Sequence, residues 1–133
     1  MNPTSQDIAA ILAAEVSLAL VLGTNLFVGK EPATPDDSVT IFDIPGGAPL
    51  LTLGGKGGGD YFHPSIQIRV RNNAYLTGWD LINDIKTVLH GLNGEIEGTT
   101  TYHLIECMLD PFLLDWDTQD RARFVCSFNC QRS

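Results

Sequence analysis

Between Tyr61 and Leu92 the apolar residues change their repeat from two to 3.6, which specifies a strand running directly into an amphipathic helix. Ile66, Ile68 and Val70 alternate with Gln67, Arg69 and Arg71, so one strand face suits a core and the other carries two cations. That pattern predicts Arg69 and Arg71 facing solvent or a partner. Past Asn72 and Asn73, residues Tyr75, Trp79, Ile82, Ile85, Lys86, Leu89 and Leu92 recur at helical spacing, and Asn93-Gly94 supplies a stop. A core-facing helix packed on the strand is the expected unit.

The end of the chain repeats the strand logic. Ala122, Phe124, Cys126, Phe128 and Cys130 fall on one face of a strand spanning Ala122 to Gln131, while Arg121, Arg123, Val125, Ser127 and Asn129 fall on the other. Two Arg-bearing strand faces predict a local basic patch on a protein of net charge −8. Before this strand, Glu95 to Tyr102 and Leu104 to Leu109 have strong β character. Pro111 and the acids Asp115, Asp117 and Asp120 interrupt it with a solvated hairpin tip. Trp116 at that tip either anchors a partner or folds back on the core.

At the other end, Thr4 followed by Asp7 reads as an N-cap, and Ile8, Ile11, Leu12, Glu15, Leu18, Ala19 and Leu22 trace a helical stripe that Gly23 ends. Glu15 interrupts the apolar run and no basic lead precedes it, so neither a signal peptide nor a membrane span is expected. Asn25 to Gly29 and Ser38 to Ile44 read as strands joined by the acidic, Pro-bearing loop Glu31 to Asp37. Pro45-Gly46-Gly47 is expected to turn the chain into the run Pro49 to Leu53, making an antiparallel meander.

Lys56 sits among Gly54, Gly55, Gly57, Gly58 and Gly59, without the G-x-x-x-x-G-K-[ST] spacing or following helix that cradles phosphate. A flexible loop that orders on assembly is expected there. The acids around Trp116 lack the glycine and distal Glu of a calcium loop, and no metal or cofactor is expected. His63, His90 and His103 fall in a loop, a helix end and a strand, with no H-E-x-x-H or G-x-S-x-G pattern, so an enzyme is not expected. Cys107, Cys126 and Cys130 read as reduced, buried thiols. On one strand Cys126 and Cys130 would stand roughly 13 Å apart, so only Cys107 could pair with either, across strands.

A chain of 133 residues, 44% hydrophobic and 18% charged, is sized and composed for one folded domain covering 1–133. Its negative charge argues against a sequence-reading nucleic-acid binder and against anionic membranes, yet suits a pore through which DNA slides.

Four pieces carry a family resemblance: the proline-led strand Pro64 to Arg71, the aromatic helix Tyr75 to Leu89, Leu109 to Phe112, and the Phe-rich strand Arg123 to Phe128. In this order they resemble the small tail-terminator and minor-capsid (head-tail joining) proteins of long-tailed bacteriophages. That resemblance implies a virion structural protein, assembled in the host cytoplasm, whose partners are copies of itself in a ring, commonly hexameric, the tail-tube protein and the head-tail connector. Its function would be to cap the tail tube, end elongation and join tail to head; a head-completion (neck) protein or a tail-tube subunit are the alternatives. The expected fold is α+β, a mainly antiparallel sheet with two packed helices. Arg69, Arg71, Arg121, Arg123, Trp116 and Lys56 are the candidate interface residues, chosen from strand alternation and loop position.

Overall fold

The computed structural model describes residues 1–51 and 60–133; Lys56 and its glycine loop lie outside the described residues. Helix α1 (Thr4–Ala14) leads into β1 (Leu26–Val28), β2 (Ser38–Leu51), β3 (Asp60–Asn72), α2 (Tyr75–Leu89), β4 (Glu95–Glu97), β5 (Thr100–Cys107), β6 (Phe112–Trp116) and β7 (Ala122–Arg132). The strands form one curled seven-stranded sheet in the order β1-β2-β3-β7-β5-β4, with β6 also on β7, and α1 and α2 cover its apolar face. The architecture is α+β with the sheet dominant.

The period switch appears as expected. Ile66, Ile68 and Val70 of β3 are fully buried, as are Ile82, Ile85 and Leu89 of α2, while Phe124 and Phe128 fill the space between them from β7. Helix α2 approaches β7 this closely because residue 78 is glycine: a Cβ there would lie 2.9 Å from Cε2 of Phe124 and 3.0 Å from Cβ of Asn72. The helix ends at Leu89, and Leu92 instead bridges to Ile105.

Four expectations need correction. The first helix stops at Ala14, where the chain passes through extended Glu15 and a 3-10 turn (Val16–Leu18) to left-handed Ala19, φ 53°. Leu18 and Leu20 are still buried by this path, and the side-chain amide of Asn25 holds it, accepting from the Val21 amide at 2.7 Å and donating to the Ala19 carbonyl at 3.1 Å. Tertiary burial of those leucines here outweighs the helical spacing of the run. Thr4 opens the helix instead of capping it. The capping acceptor is remote: Asp43 of β2 takes the Ser5 amide at 3.0 Å and the Ser5 hydroxyl at 2.6 Å, at the end where the helix dipole favours a carboxylate.

The other two corrections concern the β-rich stretch. β1 pairs with β2 in parallel, Leu26 opposite Val39, while β2 and β3 are antiparallel. Pro45-Gly46-Gly47 does not turn the chain; β2 continues to Leu51, absorbing the irregularity as register shifts between Ile44 and Gly47 and between Gly47 and Leu50. Gly46 permits this, since a Cβ on it would collide with the His63 carbonyl oxygen and stand 2.8 Å from Cα of Pro64.

Candidate interaction surface

The basic patch expected on the sheet's polar face does not exist. Arg71 and Arg121 are only 3% and 6% exposed. The acidic loop between β1 and β2 folds across them: the Arg71 guanidinium donates to the carbonyls of Pro35 (2.7 Å) and Asp36 (3.2 Å) and to Glu31 (3.3 Å). Arg121 donates to the Ala33 carbonyl at 2.7 Å, to Asp36 at 3.2 Å and to Asp117 at 2.6 Å. Arg123 forms a two-pronged pair with Asp115 and reaches Glu31 at 3.4 Å. Arg69 lies 3.8 Å from Glu31 and sits over the Phe42 ring at 4.9 Å. The loop was legible as acidic and the strands as basic, but alternation alone could not report that one would close on the other.

This network sets the electrostatics of the face. The Arg123 guanidinium holds the Asp115 carboxyl below its usual range. For Asp117, burial pushes upward, but the Arg121 amide and guanidinium and the Gln119 amide outweigh it and leave the carboxyl lowered. Asp117 also shapes the β6–β7 turn, its carboxylate accepting from the Gln119 and Arg121 amides, with Asp120 left-handed at φ 58°. Asp115 and Trp116, expected in a loop, belong to β6.

A second, smaller network lies at the other end of the sheet. Asp7 accepts from the Tyr102 hydroxyl at 2.7 Å, and Arg132 stands 3.7 Å from the same carboxylate. Burial and the Asp7 hydrogen bond push the Tyr102 phenol well above its usual range. Lys86 pairs with Asp110. All the arginines and Lys86 are therefore held by the chain's own acids, and the excess negative charge is left to the surface.

Among the described residues the histidines and cysteines lie in separate local settings. His90 accepts the Cys107 amide through Nδ1 at 2.9 Å, and His103 meets the Ser133 hydroxyl at 2.8 Å. His63, Glu106 and Cys130 line one shallow cleft, but burial pushes the Cys130 thiol up to about 12, which leaves it a protonated, poor nucleophile near neutrality. Cys107 and Cys126 are free, with Sγ atoms 3.3 Å apart, the cross-strand neighbours that the spacing allowed. Among the described residues no three His, Cys, Asp or Glu side chains gather around a common metal position, and no helix is long and apolar enough to cross a membrane.

What the surface does offer is apolar area. Trp116 is 49% exposed at the end of β6, Tyr75 and Leu76 open α2 with much of their area in water, and Leu50, Leu51 and Tyr61 are exposed along the β2–β3 arm. Residues 11–133 match the family of bacteriophage tail terminator proteins. The chain belongs to that family. It is accordingly a structural protein of a phage tail. The same fold is displayed by a solved structure: a chain from the virion of a native gene transfer agent (GTA) particle superposes with a TM-score of 0.68 at 13% identity, covering 97% of this chain and 93% of that one. No curated protein sequence matches the chain.

Proposed function

We propose that the protein, acting as one α+β unit over residues 1–133, assembles into a ring, in the commonest arrangement a hexamer, that caps the tail tube, ends its elongation and presents a surface to the head connector. The observation that carries this reading is the family match across residues 11–133. The surface supports it: the five arginines and Lys86 are engaged by the chain's own acids, so acids and exposed apolar side chains dominate the exterior, a composition suited to protein contacts around an axial passage that repels DNA phosphate. Among the interface candidates, Trp116 contributes directly, and Arg69 and Arg123, each 23% exposed, contribute at the rim. Arg71 and Arg121 act from beneath by holding the acidic loop in place, and Lys56 contacts the neighbour or the tube.

Mixing purified protein with tail-tube subunits of the same phage tests this. A terminator stops elongation at substoichiometric amounts, as seen by negative-stain imaging, and light scattering finds a discrete ring in solution or on the tube end. Co-polymerisation into open-ended fibres would instead make it a tube subunit. Binding confined to the portal side would make it a neck protein.

A further inference from the structure

On the helix-covered side, the sheet ends in an aromatic ledge. Trp116 stacks on Tyr75, the first residue of α2, with ring centroids 6.1 Å apart and planes 20° apart. Tyr75 meets Phe124 edge-on at 5.2 Å, and Trp79 tilts onto the same ring at 5.9 Å. Phe124 is fully buried, whereas Trp116, Tyr75 and Trp79 are 49%, 44% and 36% exposed. The exposed rings therefore stand on a fixed base and on each other, so little side-chain freedom remains to be lost when something docks.

The ledge has an acidic setting. Asp80 follows Trp79 along α2 and Asp120 lies in the turn after Trp116; both are exposed. Among the described residues neither is paired with a cation. Exposed π faces beside unpaired carboxylates favour a planar, delocalised cation above other side chains, because a guanidinium stacks on the ring while its N–H groups donate to the acids. A second copy of this chain is poorly equipped to provide a guanidinium, since Arg69, Arg71, Arg121, Arg123 and Arg132 are each bound to the chain's own acids; Lys30, exposed and without an ion pair among the described residues, offers only a point-charge ammonium.

We propose that the Tyr75–Trp79–Trp116 ledge docks an arginine-bearing segment of a different protein of the phage particle, while self-association uses other surfaces. The inference rests on the tail-structural reading and adds the chemistry of the partner and the place where it binds. Trp79 and Trp116 are the only tryptophans of the chain, so 5-fluorotryptophan labelling reports the ledge alone. The labelled protein is observed by fluorine NMR alone over a concentration series, then with unlabelled tail-tube protein and, separately, with unlabelled head-connector protein of the same phage.

Both resonances are expected to move with one of those two proteins and to stay put on self-dilution. The variant Asp80→Asn/Asp120→Asn, whose changes are exposed and leave packing intact, is expected to bind that protein roughly tenfold more weakly and with a shallower salt dependence. Binding with unmoved resonances overturns the ledge and leaves the terminator reading standing. Movement on self-association alone overturns it in favour of a second copy. Binding to neither protein overturns both.

Discussion

Replacing Glu31 by Gln isolates the charge that holds the acidic loop to the sheet. Glu31 is 13% exposed and accepts from Arg71 at 3.3 Å and Arg123 at 3.4 Å, with Arg69 at 3.8 Å. Removing one partner of a buried pair costs about 3–5 kcal/mol, since the remaining charge is left uncompensated. Here Arg71 keeps the Pro35 and Asp36 carbonyls, and Gln keeps one oxygen acceptor, so about 2–3 kcal/mol is expected. The matched control is Asp115→Asn, which breaks a geometrically better pair, but one whose members are 23% and 43% exposed, and which should cost only about 0.2–1 kcal/mol. For a domain of this size each kcal/mol moves Tm by roughly 3–5 °C, so E31Q should melt about 6–15 °C lower and D115N at most about 5 °C lower. Thermal and urea melts followed by circular dichroism measure both. Equal losses, or an E31Q protein within about 0.5 kcal/mol of the parent, would refute the claim that burial, and not pair geometry, decides the strength of this network.

Gly78→Ala should destabilise by about 1–2 kcal/mol in the same melts: overpacking against Phe124 and Asn72 costs about 1–3 kcal/mol, and the better helix propensity of Ala offsets up to about 1. Below about pH 4 the fold should weaken progressively, because the Asp115 and Asp117 carboxyls titrate lower folded than unfolded, so their stabilisation is present above the unfolded value and lost as pH falls through the folded one. Tyr102 predicts the opposite limb: its phenol is raised in the folded state, so the associated stabilisation is full below about pH 10 and declines above it, and absorbance titration should find one tyrosine that ionises only on unfolding. Iodoacetamide at pH 8 should label Cys107 first, since Cys126 and Cys130 are buried with thiols pushed upward, whereas urea should equalise all three; uniform native labelling would contradict the packing of β7.

Some of the site was legible before folding and some was not. Trp116 stood out as an indole in an acidic segment, but nothing local showed that it would lie over Tyr75, because those residues are brought together only when α2 and β6 both pack on β7. Tyr75 and Trp79 counted as core positions by helical spacing, yet they lie beyond the buried stripe at Ile82, Ile85 and Leu89. Asp7 read as a first-turn acid, and its actual partners, Tyr102 and Arg132, come from the far end of the chain.

The sequence by itself determined β3, α2 and β7 and which face of each enters the core, because burial repeats every second residue on a strand and every third or fourth on a helix, a rule that needs only neighbours along the chain. It also carried the family. The fate of the polar faces was decided by tertiary structure alone: alternation shows only that Arg71 and Arg121 point away from the core, and whether that direction is solvent depends on a loop that closes over them from residues 29–37. A face excluded from one hydrophobic core is free to be exposed or to be buried under its own counter-charges, and the choice belongs to long-range pairing that no local period records.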